Sequence, residues 1–146
     1  MSEQPITASA IMSTVERLED TSAAFYTALA AAYPAQAKLF QGYAEDCEKH
    51  KTQILRTYQE TVTDALETNF SFEGLSLAKY AFEATPSGKG LSEDLKAALN
   101  LEETAIAFYT QVAKACESLL ATIPRTLARV AKRRARRRDE LRELQP

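Results

Sequence analysis

The sequence predicts an all-α protein, a four-helix bundle built from two antiparallel helical hairpins joined by a long crossover. Three observations lead there. Only four glycines and five prolines interrupt 146 residues, and they cluster. Between the clusters, apolar residues recur at helical spacing. The two predicted hairpins also resemble each other in sequence. The length suits a single domain, residues 1–146, with a sizeable core.

The first helix is expected over about residues 7–33. Ile11, Val15, Leu18, Ser22, Phe25 and Leu29 form its inward stripe, and Pro34 in "AAYPAQAK" ends it. The second helix, about 36–64, carries Leu39, Tyr43, Cys47, His50, Ile54 and Tyr58 on one face. A crossover over 65–91 follows, with Gly74 early and "TPSGKG" late, and its "LSLAKYAFEA" suits a short extra helix. The third helix, 92–118, is expected to start at a Ser92 cap. Glu93 and Asp94 there suit the positive end of the helix dipole. Its stripe is Leu95, Leu99, Glu102, Ile106, Tyr109, Val112 and Cys116. The fourth helix, 122–143, presents Leu120, Ile123, Leu127, Val130, Arg134, Arg137 and Leu141 around Pro124. Short turns join helices 1–2 and 3–4, and one long link joins the pairs. That is the ferritin-like connection rather than a simple up-and-down one.

Composition excludes several classes. Apolar residues make up 45% and charged residues 26%, so the chain is neither a disordered polymer nor a membrane protein. No apolar run approaches a spanning helix. The opening "MSEQPITASA" lacks the basic region and apolar block of a signal peptide, so a cytoplasmic location is expected. Cys47 and Cys116 form no CxxC pair. They read as reduced thiols, and no iron–sulfur or rubredoxin-type site is expected. No Ser/His/Asp set can be argued, because the single histidine, His50, has a better explanation, and no phosphate loop or dinucleotide fingerprint is present.

The repeat carries the chemistry. "LEDTSAAFYTALA", from Leu18 to Ala30, aligns with "LEETAIAFYTQVA", from Leu101 to Ala113. Glu19 then matches Glu102, and Tyr26 matches Tyr109. Less closely, "YAEDCEKHKTQIL" aligns with "VAKRRARRRDEL", which sets Cys47 against Arg134 and His50 against Arg137.

With Glu19 seven residues before Tyr26, Glu102 seven before Tyr109, and "AEDCEKH" in helix 2, the chain resembles the rubrerythrin branch of the ferritin-like proteins. The resemblance covers all four helices. It implies a di-iron site with one Glu from each of helices 1 and 3 and a Glu-x-x-His from each of helices 2 and 4. It also implies a homodimer formed through an apolar face. Glu19, Glu102 and His50 match that ligand set. Cys47 replaces the helix 2 Glu, Arg134 the helix 4 Glu, and Arg137 the helix 4 His. An arginine does not deprotonate to become a ligand. No working di-iron centre and no resident cofactor are therefore expected.

Arg134 and Arg137 are instead expected to pair internally with Glu19 and Glu102, with Tyr26 and Tyr109 hydrogen-bonded around them. That implies a structural or binding role without catalysis. The alternative is a residual mononuclear Zn or Fe site at Glu19, Cys47 and His50, which would make the chain a rubrerythrin-like, peroxide-handling oxidoreductase. Cys47 also offers a redox thiol, its pKa lowered by the arginines and raised by Glu19.

Charge is unevenly spread. Residues 1–124 hold 9 basic and 17 acidic side chains, whereas residues 125–146 hold 9 and 3. The run "RVAKRRARRR" invites a nucleic-acid reading through Lys132, Arg133, Arg136 and Arg138. Against it stand the lack of aromatic interleaving and of a helix-turn-helix signature. Pairing with Glu45, Asp46 and Glu48, or with another subunit, is the plainer expectation.

Overall fold

A computed structural model describes residues 8–61, 85–115 and 122–145. Among these the chain is all-helical, with four long helices: α1 (Ala8–Ala32), α2 (Ala37–Thr61), α3 (Leu91–Ala115) and α4 (Thr122–Leu144). A 3-10 turn, Pro34–Gln36, separates α1 from α2. It starts where Pro34 has no N–H to continue α1. The last bond of the helix runs from Tyr33 N–H to Leu29 O at 2.9 Å.

The expected stripes face inward except at Ile106, which is half-buried while its neighbours Ala105 and Phe108 fill the core. Ile11, Val15, Leu18, Phe25 and Leu29 of α1 are buried, with Cys47 and Ile54 of α2, Leu95 and Val112 of α3, and Leu127, Val130 and Leu141 of α4. Leu39, Tyr58 and Leu99 are only partly buried and pack at the edge of that core. The helix expected at "LSLAKYAFEA", the stretch expected to end the third helix with Cys116, and Leu120 lie outside the described residues.

Cross-helix hydrogen bonds fix the directions of the helices. Tyr33 reaches Asp94, Tyr26 reaches Glu102, and Tyr109 reaches Glu19. As numbers fall along α1 they rise along α3, so the two are antiparallel. Cys47 meets Arg137, while Thr57 meets Thr126 ten residues on, so α2 and α4 are antiparallel too. Each hairpin is antiparallel in itself. Hence α2 and α3 run the same way, and α2 ends and α3 begins at opposite ends of the bundle.

The start of α3 differs from the Ser92 cap expected. The helix begins at Leu91, which places Ser92 inside the first turn. Asp94 does the anchoring, from a buried position. Its carboxylate accepts from Ser87 N–H at 2.7 Å, Ser87 Oγ at 2.8 Å, Gly88 N–H at 3.1 Å and Tyr33 Oη at 2.5 Å. Gly88 adopts φ 72°, the left-handed region that glycine enters without a Cβ clash. Burial raises the Asp94 pKa, but these donors outweigh it and leave it lowered. One carboxylate thus ties the end of the crossover, α3 and the α1–α2 turn together.

Candidate functional site

At mid-height the four inward stripes meet on polar atoms instead of hydrocarbon. Arg134 is the largest fully buried side chain among the described residues. Its position follows from the sequence: Leu127, Val130, Arg134, Arg137 and Leu141 recur every three or four residues, so the apolar neighbours that bury α4 carry both arginines inward.

All the N–H groups of Arg134 find acceptors. Nη2 donates to Glu19 Oε2 at 2.6 Å and Oε1 at 2.8 Å, and to Ser22 Oγ at 3.0 Å. Nε adds a bond to Glu19 Oε1 at 3.3 Å. Nη1 donates to both oxygens of Glu102 at 3.0 Å. The guanidinium plane therefore bridges two carboxylates, a use of its fixed fork that an ammonium cannot copy. Ser22 donates its own proton to Leu18 O at 2.8 Å, so its lone pair is free to face the arginine.

The tyrosines close the network in a crossed pattern. Tyr26 Oη donates to Glu102 Oε2 at 2.5 Å, and Tyr109 Oη to Glu19 Oε1 at 2.9 Å. Each half of the repeat thus supplies the hydroxyl that caps the other half's carboxylate. Burial, then the adjoining carboxylate, raises both tyrosine pKa values well above the usual phenol range, so both remain donors.

Arg137 plays a different part. It donates from Nη1 to Glu102 Oε2 at 3.3 Å and to Cys47 Sγ at 3.4 Å. Its guanidinium carbon stands 5.1 Å from the Tyr43 ring centre and 5.4 Å from that of Tyr26. The pairing expected of Arg134 and Arg137 with Glu19 and Glu102 is divided unequally: Arg134 holds both, and Arg137 assists at Glu102. Burial works against the Glu102 charge, but Arg134 and Arg137 overcome it and lower its pKa. Both arginines, penalised by burial, are still raised by Glu102 and remain charged. Two carboxylates and two guanidiniums make the quartet neutral.

Cys47 and His50 complete the stripe of α2. Burial pushes the Cys47 thiol up to about 11, against the lowering by Arg134 and the further raising by Glu19. The redox-thiol reading set lowering by the arginines against raising by Glu19; burial outweighs both and favours the protonated thiol, which speaks against that reading. His50 is pushed down to about 3 by burial, then by Arg137, Arg134 and Arg133, so its imidazole is neutral. Its Nδ1 lies 3.9 Å from Glu19 Oε1 and makes no hydrogen bond. The buried Tyr43 hydroxyl is likewise without a hydrogen bond, and burial followed by the Glu140 carboxylate raises its pKa.

All six expected centre residues therefore converge, with Tyr26 and Tyr109 beside them. Ser22 and Tyr43 also belong to the site. Both stood on inward stripes, but nothing in the sequence marked them as polar partners of an arginine. The residues present do not fit a pair of metal ions. Arg134 fills the space between Glu19 and Glu102 and takes up all four carboxylate oxygens. Among the described residues, no three His, Cys, Asp or Glu side chains stand so as to hold a metal.

Outside the centre, Lys132, Arg133 and Arg136 are exposed as expected, but Arg138 is only half exposed and pairs with Glu103 and Asp139. Glu48 pairs with Lys51, and among the described residues no pair forms between the α4 cations and Glu45, Asp46 or Glu48. No described helix is long and apolar enough to cross a membrane. In comparisons with known proteins, the chain matches no family model, no curated protein and no solved structure.

Proposed function

We propose that this chain is a ferritin-like bundle of the rubrerythrin type in which a Glu–Arg network has taken the place of the di-iron centre, leaving a non-catalytic structural or binding protein. The observation that carries this reading is Arg134, fully buried and bonded to every oxygen of Glu19 and Glu102. Two buried carboxylates need compensating charge. Metal ions supply it in the bundles this sequence resembles, and guanidinium groups supply it here. The crossed Tyr26–Glu102 and Tyr109–Glu19 bonds keep the two-fold pattern of the repeat around a centre that is no longer symmetric. A homodimer in the cytoplasm fits this reading and rests on the resemblance and on the free thiol of Cys47.

One observation favours a second reading, a mononuclear metal at Glu19, Cys47 and His50. The buried Nδ1 of His50 has no hydrogen-bond partner and faces Glu19. That reading requires Arg134 to release Glu19 and Cys47 to lose a proton held to about 11. Elemental analysis of protein purified without chelator from metal-supplemented cells separates the two. The network reading expects substoichiometric metal and an unchanged melting temperature on adding chelator. One metal per chain, lost together with stability on chelation, supports the second reading and sinks the first.

A further inference from the structure

Helix α4 carries positive charge on two opposite faces, and only the inner one is neutralised. Arg125, Arg129, Lys132 and Arg136 are all exposed. At 100° per residue they fall within roughly 60° of arc, centred opposite Arg134, and at 1.5 Å per residue they span about 16 Å. Among the described residues none of the four is paired with a carboxylate. The ion pairs of α4 are made by Arg134, Arg137, Arg138 and Arg142. Arg133, also exposed, flanks the stripe on the side facing α2.

Charge at the start of α4 works against the helix itself. Its first turn has no acidic residue and includes Arg125, at the positive end of the dipole. The last turn holds Glu143 beside the favourably placed Arg142, and Arg129, Lys132 and Arg136 lie outside the terminal turns, where the dipole has little effect. Helix stability therefore does not account for Arg125 and is indifferent to the rest of the stripe. The antiparallel registers also bring exposed Arg56 of α2 and Lys114 of α3 to the same end of the bundle as Arg125, which widens the positive region there.

We propose that this outer face of α4 binds the phosphate backbone of nucleic acid, without reading sequence. The chemistry of the face selects that partner. Its side chains are guanidinium and ammonium groups separated by Ala128 and Ala135, with no aromatic or large aliphatic anchor of the kind a protein interface needs. The apolar face of α4 is spent on the core, so the helix has nothing to insert into a lipid surface. A rigid row of cations with no base-reading side chain matches a row of phosphates. The inference is independent of what fills the bundle centre.

The test uses the full chain and a fluorescently labelled duplex of random sequence, titrated at several salt concentrations, with vesicles rich in phosphatidylserine as a second probe. Four phosphate contacts give a slope of log K against log salt of about −3.6, or roughly a hundredfold loss between 50 and 200 mM. The variant Arg125→Gln/Arg129→Gln/Lys132→Gln/Arg136→Gln loses duplex binding at least tenfold, with its fold intact by circular dichroism. Lys38→Gln/Lys49→Gln/Lys89→Gln/Lys96→Gln changes net charge equally at exposed sites elsewhere and keeps the binding. Equal losses in the two variants reduce the effect to net charge and overturn the proposal. Absence of duplex binding at low salt overturns it as well, and so does capture by vesicles alone.

Discussion

The Nη2 of Arg134 donates to both carboxylate oxygens of Glu19, at 2.6 and 2.8 Å, across 115 residues of sequence and with neither side chain exposed. That bond joins the last helix to the first. The same guanidinium also holds Glu102 of α3, so one side chain of α4 ties α1 and α3 to it. Losing it leaves two buried carboxylates without their main compensation. Arg134→Ala should cost about 3–5 kcal/mol of stability. Arg134→Lys should recover little of that, because a point charge cannot reach two carboxylates in one plane. Urea unfolding of both variants checks this, and a lysine variant as stable as the parent would show that charge alone suffices.

The tyrosine pair offers a symmetric test. Tyr26→Phe and Tyr109→Phe each remove a hydrogen bond to a buried carboxylate, worth about 1.5–3 kcal/mol. Phenylalanine keeps the ring that lies against Arg137, so the two losses should be of similar size. Melting temperatures of the two single variants check this, and an unchanged melting temperature in either would remove the role assigned to its hydroxyl.

Stability should fall on both sides of neutral pH. His50 is neutral in the folded chain down to about 3, while the unfolded chain takes up its proton near the ordinary 6.5. The unfolded state then binds more protons, so stability falls as pH drops below about 6.5 and goes on falling to about 3. Between about pH 7 and 5 this one group accounts for a loss on the order of 2 kcal/mol. Glu102, whose pKa is lowered on folding, adds its own loss only below the usual carboxylate range. On the alkaline side, Cys47 keeps its proton to about 11 against an ordinary 9.0, so stability declines as pH rises through that interval. Unfolding free energies of the parent and His50→Gln across the acid limb check the first claim. An unchanged slope in the variant would assign the acid sensitivity elsewhere.

Much of this was legible in the sequence because periodicity and repetition are local or pairwise signals. The stripe Leu127, Val130, Arg134, Arg137 and Leu141 places two arginines inside by spacing alone. The repeat aligned Glu19 with Glu102, 83 residues apart, and the resemblance to rubrerythrin-type bundles implied one centre for both. The division of labour between the arginines was not legible. It depends on how far each fork reaches, and Arg134 sits between the glutamates while Arg137 lies one turn further along. The Cys47 pKa was not legible either, because burial outweighs the two cations, and burial is a property of the packed bundle. Asp94 read as a dipole residue, and its bond to Tyr33 appears only when the ends of α1 and α3 are brought together.

On the proposed reading, two guanidinium groups do the electrostatic work of metal ions at Glu19 and Glu102. The most direct measurement is the thermal stability of Arg134→Ala/Arg137→Ala with and without Zn2+, Mn2+ or Fe2+. Removing two positive charges leaves two buried carboxylates that one dication can compensate, with His50 close by. The variant should be far less stable than the parent in chelator and substantially restored by a divalent metal, beside a parent indifferent to both. A variant that melts like the parent, or a parent that itself gains stability from the metal, would contradict it.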